Sequence, residues 1–231
     1  MKHNQYHIAC ESVSQSYRSG FASTIVLDDI NLNIEPHSSL AITGSSGSGK
    51  STLLHILSGL QKPTQGKISY GELNLYGWRT RQKRLFFRHT LGMIYQQHHL
   101  VMEMSVLQNV MLPLKIAKIK KPKAKALDMI EKVGLSQYSH YLPSMLSGGQ
   151  KQRVSIARAL VTNPKVVVAD EPTGCLDANT ADSVSNLMFD LVKDQNATLI
   201  IATHDLDLAK RCDNHLKIIN GKINSKRIWF W

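Results

Sequence analysis

Gly44-Ser45-Ser46-Gly47-Ser48-Gly49-Lys50-Ser51 follows the apolar run Ser39-Leu40-Ala41-Ile42-Thr43. It precedes Leu53, Leu54, Ile56, Leu57 and Leu60 at helical spacing. A strand, a glycine-rich turn and an amphipathic helix over 51–60 are expected in that order. The spacing is G-x-x-x-x-G-K-[ST]. Its glycines let backbone N–H groups turn inward around phosphate oxygens, and the helix N-terminus adds a favourable partial charge. Gly44, Ser45, Ser46, Gly47, Ser48, Gly49, Lys50, Ser51 and Thr52 are thus read as a nucleotide phosphate cradle. Lys50 is expected to reach the β- and γ-phosphates, and Ser51 to offer its hydroxyl to Mg²⁺. The alternative is a bare glycine-rich turn, against which the strand–loop–helix context argues.

Downstream, Val166-Val167-Val168-Ala169 is a continuous apolar, β-branched run, as expected of a strand buried on both faces of a parallel sheet. It ends in Asp170-Glu171, where open α/β sheets bind ligands. Two adjacent carboxylates are costly to bury without a cation. Asp170 is therefore assigned to the metal, directly or through water, and Glu171 to polarising the attacking water. Helix capping is the plainer reading of the pair.

Residues 25–34 and 198–202 read as further strands, 181–191 as an amphipathic helix, and 206–212 as a short helix. Asn220-Gly221 between 216–219 and 222–223 is a hairpin signal. Gly66 lies beyond Pro63, so the first helix has stopped by then. Between about 97 and 160 the chain turns helical. Ala124, Leu127 and Ile130 share a face, Gly134 stands at a C-cap position, and 148–161 reads as a second helix. The expected fold is α/β and doubly wound, with a helical subdomain inserted into it. Leu146-Ser147-Gly148-Gly149-Gln150 leads into that second helix and forms a second anion-binding helix N-terminus or a plain helix cap.

With this third element the chain resembles the ATP-binding subunits of ABC transporters, over essentially its whole length and in the expected order. Leu146 to Gln150 matches their signature motif, and Gln96 after Leu91-Gly92-Met93-Ile94-Tyr95 their Q-loop glutamine. Pro172 to Asp177 looks like the D-loop, Thr203-His204-Asp205 holds the switch histidine, and Tyr17 stands where an aromatic covers adenine. The resemblance implies a P-loop NTPase of ABC type in a single domain. Residues 1–95 and 162–231 would form a RecA-like core with an N-terminal antiparallel β part, and about 96–161 the helical signature subdomain. It implies ATP and Mg²⁺ as cofactors. Tyr17, the 44–52 loop, Ser147, Gly148, Gly149 and Gln150 would bind nucleotide. Glu171, His204 and Gln96 would be catalytic, and Ser51, Gln96 and Asp170 would serve the metal. It also implies a head-to-tail dimer of two ATPase subunits, with Ser147, Gly149 and Gln150 acting on the partner's nucleotide. Integral-membrane permease subunits would be moved by hydrolysis, and the cargo never touched.

Within the family, Leu91 to Leu100, with the paired His98 and His99, is most similar to the ATPases of lipoprotein-release systems. Macrolide-exporter and cell-division ATPases are the alternatives. Residues after Gln96, among them His98, Leu100, Val101 and Met102, would meet the permease. One departure is Cys175 in the D-loop, where a small or amide residue is usual.

Composition bounds these readings. The chain has 231 residues and is 42% hydrophobic, enough for a buried core. No apolar run approaches the roughly 18–20 residues that span a bilayer. Met1 to Gln5 has no apolar segment behind it, so the expected compartment is the cytoplasm; the resemblance implies the cytoplasmic face of the inner membrane, peripherally bound. Cys10, Cys175 and Cys212 form no close pair and are expected to be reduced, buried thiols. Asn196-Ala197-Thr198 fits a glycosylation sequon, without meaning in that compartment. The formal net charge is +11, with basic clusters over 79–88 and 115–125. They suit a solvated face, acidic lipid headgroups or nucleic acid. Soluble ABC ATPases acting on nucleic acid or ribosomes are a remote alternative: they carry a long coiled-coil insertion or two cassettes. This chain has one signature, and too little length between Gln96 and Leu146 for such an insertion.

Overall fold

Strand β1, Ile8–Ser19, lies between β2, Ala22–Ile34, and β4, Gln65–Tyr70, antiparallel to both; β5, Leu73–Asn74, completes the order β2-β1-β4-β5. The computed structural model describes residues 7–20 and 22–224. Both Met1–Gln5 and the aromatic end Ile228–Trp231 lie outside them. Inward-facing Ile8, Val13, Leu27, Ile30 and Ile68 are fully buried. The register slips between Cys10 and Val13, where Ser12 takes a φ of 46°. There Gly66 packs so closely that a Cβ would stand 2.3 Å from the Ser12 carbonyl oxygen. Gly66 is thus required by β-sheet contact in β4, a strand that helix punctuation in the sequence did not reveal.

These strands belong to the first of two compact units, drawn from the described residues up to Lys83 and from Thr198 onward. In the same unit β3, Ser39–Thr43, is flanked in parallel by β8, Thr198–Ala202, and β9, Asn214–Ile219. Strand β10, Lys222–Asn224, returns antiparallel to β9. The Asn220-Gly221 turn has φ of 48° and 76°, the left-handed pair that a two-residue hairpin requires. Its tip meets β2: the Gly221 carbonyl accepts from Asp28 N at 2.9 Å, and Lys222 pairs with Asp28 at 3.1 Å. Helix α1, Lys50–Leu57, buries Leu53, Leu54, Ile56 and Leu57 completely and ends three residues before the expected Leu60. The short helix α7, Leu206–Ala209, also stops early, before Cys212.

Helix α2, Thr80–His89, leads into the second unit, residues 84–197. Here β6, Leu91–Tyr95, and β7, Val166–Asp170, pair in parallel, with Tyr95 opposite Asp170. Four helices follow: α3, Val106–Ile116; α4, Pro122–Lys132; α5, Gly148–Leu160; and α6, Ala178–Asp194. The helical stretch expected over about 96–161 lies within this unit. Helix α3 has no clean sequence signal because Pro113 sits inside it. A Ser105–Gln108 capping box and the burial of Val106, Val110 and Leu114 hold it nonetheless. At Gly92 a Cβ would stand 2.5 Å from the Ala159 carbonyl oxygen, so β6 and α5 pack backbone to backbone.

The cysteines divide. Burial pushes the Cys10 thiol up to about 12, and burial does the same to Cys212, with the hydrogen bond to Ser39 opposing. Cys175, in the turn after β7, is exposed, contrary to the expectation of burial. Among the described residues no helix is long and apolar enough to cross a membrane.

Candidate functional site

The glycine-rich loop owes its shape to neighbours as much as to its own residues. Gly49 has a φ of 104°, and a Cβ there would meet the Val26 carbonyl oxygen and Leu27 Cδ2, both at 2.8 Å. At Gly44 a Cβ would stand 2.5 Å from the Ile218 carbonyl oxygen. Gly47, with a φ of 75°, has open space around it. Strands β2 and β9 thus press on the loop at Gly49 and Gly44. Gly49 is the N-cap of α1, with no side chain capping the helix and no acid in its first turn. The first-turn N–H groups and the positive helix end present a ready anion site. Ser48 Oγ is buried without a hydrogen-bond partner. Lys50, 8% exposed, donates from Nζ to the carbonyl oxygens of Gly44 at 3.0 Å and Ser45 at 3.2 Å. Ser51 is exposed at the first turn and Thr52 partly so. An uncapped helix end, an orphaned hydroxyl and a lysine held across the loop fit a polyphosphate.

Two more expected residues lie in the same unit. Tyr17, on β1, is 45% exposed, and its hydroxyl accepts from Gln61 Nε2 at 2.6 Å, leaving the ring open to solvent. His204 follows β8 in an exposed turn pinned at both sides. Thr203 N donates to the Ile42 carbonyl at 3.0 Å, and Asp205 caps α7 by accepting from Asp207 and Leu208 N.

In the second unit, Gln96, Asp170 and Glu171 come together at the ends of the paired strands β6 and β7. Asp170 ends β7, and Glu171 takes a φ of 43°, a strained value for a non-glycine residue. The Glu171 carbonyl accepts from Gly174 N at 3.1 Å. A Cβ at Gly174 would lie 3.0 Å from Gln96 Nε2 and 3.5 Å from Glu171 Cβ. Gly174 is the small residue that lets the glutamine approach the acid, a role the sequence reading left unassigned.

The signature residues form the N-terminus of α5. Ser147 Oγ accepts from Gln150 N at 3.3 Å and Gln150 Oε1 accepts from Ser147 N at 2.8 Å, a reciprocal capping box. Gly149 is buried: a Cβ there would strike Thr180 Cγ2 at 2.4 Å, while Gly148 is exposed. Thr180 stands at the start of α6, whose N-cap Asp177 accepts from Thr180 N at 3.0 Å. The second glycine of the motif is therefore needed for α5 to close on α6.

The segment after Gln96 is ordered by residues outside the expected set. Asn109, fully buried on α3, donates to the carbonyls of Val101 and Met104 and accepts from Val101 N at 2.9 Å. That clasp leaves Met102 48% exposed. Arg158, on α5, donates to the His98 and His99 carbonyls. An amide among apolar residues, such as Asn109 between Leu107 and Val110, is the signal by which it could have been found.

The chain matches the ABC transporter family over residues 27–174. It is 42% identical over 219 residues to the "Lipoprotein-releasing system ATP-binding protein LolD" of Colwellia psychrerythraea, covering 94% of this chain and 84% of that one. Among solved structures it is similar to the ATP-binding cassette MJ0796 in a dimeric post-hydrolysis state bound to ADP and Pi (30% identity, TM-score 0.88). It is equally similar to the dimeric structure of MJ0796, a bacterial ABC transporter cassette (31% identity, TM-score 0.88). In both, 97% of this chain and all of that chain are covered. A phosphate-cradling loop, a strand ending in Asp170-Glu171 and the capped signature helix thus come with likeness over nearly the whole length: the chain belongs to the ABC transporter family, as its ATP-binding and ATP-hydrolysing cassette.

Proposed function

We propose that this ATPase powers the release of lipoproteins from the bacterial inner membrane, working at the cytoplasmic face with integral-membrane permease subunits. The observation that carries the reading is the 42% identity along 94% of the chain to a lipoprotein-releasing system ATP-binding protein. Two copies act as a head-to-tail dimer, in line with the dimeric cassettes it resembles.

Each residue's task follows from its chemistry. Tyr17 stacks its open ring on adenine. The 44–52 loop and the α1 N-terminus hold the phosphates, with Lys50 exchanging loop carbonyls for phosphate oxygens. Ser51, Asp170 and Gln96 offer the hard oxygen donors that suit Mg²⁺, which takes few protein ligands beside phosphates and waters. When bound, Mg²⁺ neutralises charge on the phosphate oxygens. Glu171 polarises the attacking water, and its strained backbone supports a built catalytic position. His204 contacts the terminal phosphate from its pinned turn. Ser147, Gly148, Gly149 and Gln150 act on the partner's nucleotide. Phosphoryl transfer asks mainly for positioning and charge stabilisation, which these groups supply.

The test is to express tagged Glu171→Gln chain in its source cell, solubilise membranes in mild detergent with ATP, and identify what co-purifies. A permease pair with bound lipoprotein is the expected result. A single exporter-type or division-type membrane protein would overturn the lipoprotein assignment and keep the ATPase. Nucleic acid or ribosomes without a membrane partner would overturn the transporter reading.

A further inference from the structure

Gln152, on α5 two residues beyond the signature, is fully buried. Its Nε2 donates to the Pro172 carbonyl at 2.6 Å, and its Oε1 faces His98 Nδ1 at 2.7 Å. A proline carbonyl can only accept, so the Gln152 amide nitrogen must face Pro172 and its oxygen must face His98. His98 therefore carries its hydrogen on Nδ1 and donates. One amide thus joins the turn after Gln96 to the carbonyl of the residue that follows Glu171.

Both ends of this bridge are backbone positions that would not persist unaided. His98 and His99 take φ of 60° and 46°, and Glu171 a φ of 43°. Such a backbone conformation is unfavourable for a non-glycine residue unless its surroundings impose it. At the histidines the surroundings are α5 and β6. Ser155 and Arg158 donate to the His98 carbonyl at 3.4 and 2.7 Å, Arg158 also holds the His99 carbonyl, and the His99 ring stands edge-on to Tyr95 at 4.8 Å. At Glu171 the following Pro172 is buried and tied by Gln152. A residue before proline favours extended backbone, so the φ of 43° at Glu171 has to be imposed by tertiary contacts, and the Gln152 bond to Pro172 is one of them.

We infer that Gln152 and His98 form a positioning pair that sets the backbone at Glu171, so that the geometry of the hydrolytic carboxylate depends on the conformation of the 96–99 turn. The pair touches no reacting atom. It acts by holding Pro172, and a displacement of His98 is passed through one rigid amide to the residue next to the base. This rests on Glu171 being that base. Gln96 Nε2 and Glu171 Cβ both lie beside Gly174, next to the same turn.

The test is steady-state hydrolysis, equilibrium ATP binding and thermal melting on purified chain. His98→Leu removes the donor, Gln152→Met removes both bonds at similar volume, and His98→Asn restores a donor near the Nδ1 position. For His98→Leu and Gln152→Met the expected result is kcat lowered about tenfold, as small misplacements of a catalytic group produce. ATP affinity and KM should stay within about twofold, since the phosphate-binding loop is untouched. His98→Asn should return kcat to near that of the unaltered chain. The double variant His98→Leu/Gln152→Met should lose no more than either alone, as expected of one shared interaction. Unchanged kcat in folded His98→Leu, or no rescue by His98→Asn, would overturn the inference. If Gln152→Met fails to melt cooperatively, His98→Leu and its rescue still decide. Glu171→Gln is measured alongside: slow turnover there with normal turnover in His98→Leu removes only the positioning pair, whereas normal turnover in Glu171→Gln removes the assignment of the base and the pair with it.

Discussion

Lys50 Nζ lies 3.0 Å from the carbonyl oxygen of Gly44, the first residue of its own loop. The lysine thus spans its own loop, and in the proposed function it trades these carbonyls for phosphate oxygens when nucleotide enters. Lys50→Ala should lower ATP affinity roughly 10–100-fold, the loss expected for charge-assisted hydrogen bonds to phosphate. Equilibrium binding of ATP measures it. Affinity unchanged in the variant would mean that the backbone N–H groups alone carry the phosphates.

The glycines of the loop are unequal. Gly49→Ala combines a left-handed φ with contacts at 2.8 Å to Val26 and Leu27, so it should cost more than about 3 kcal/mol and abolish nucleotide binding. Gly47→Ala meets open space and should cost only about 1 kcal/mol, from the φ alone. Chemical denaturation of both variants separates the two; equal losses would show that conformation rather than β2 contact governs the loop.

Glu171→Gln keeps the size of the side chain and removes the carboxylate proposed as the base. Hydrolysis should slow roughly 10²-fold or more while ATP binding persists, and an ATP-bound dimer should accumulate on size exclusion with ATP present. Turnover at the rate of the unaltered chain would refute the role of Glu171.

Two histidines make stability depend on pH. His98 is held below the ordinary 6.5 by burial first, with Lys151, Arg158 and His99 adding positive charge and the Gln152 hydrogen bond opposing. His215 is lowered by burial and by Lys217, with Nε2 beside Thr43 Oγ1 at 2.6 Å. Below 6.5 the unfolded chain takes up protons that the native state refuses. Their contribution is complete above 6.5 and is lost as pH falls through the lowered native values. The melting temperature should therefore fall from about pH 7 towards pH 5, less steeply in His98→Asn and in His215→Asn. A pH dependence identical in both variants and the unaltered chain would place the titration elsewhere.

The clasp of Asn109 on 101–104 leaves Met102 outward and Leu100 part-exposed, a surface assigned here to the permease. Leu100→Asp with Met102→Asp should leave hydrolysis by the free chain within about twofold, as surface changes away from the phosphates do. It should abolish recovery of the permease in detergent pull-downs. Loss of nucleotide binding by the double variant would place these residues in the nucleotide site instead.

The phosphate loop, the acids at the end of β7, the capped start of α5 and the Asn220-Gly221 hairpin were all legible in the sequence. Each is local: its donors, glycines and flanking periodicity lie within a dozen residues, and short-range sterics dictate its form. The same is not true of β1, β4 and β6, whose apolar patterns are broken by a bulge at Ser12, by Gly66 and by Gly92, nor of α3, which runs through Pro113. Their identity comes from partners distant in the chain, which supply hydrogen bonds and burial that outweigh weak local preference. Gly49 reads as a loop glycine in the sequence, but the presence of Val26 and Leu27 makes it irreplaceable. Gln152 reads as one polar residue among several after a signature motif. Only packing brings its amide between His98 and Pro172, because a buried hydrogen-bonding group must find its partners wherever the fold puts them.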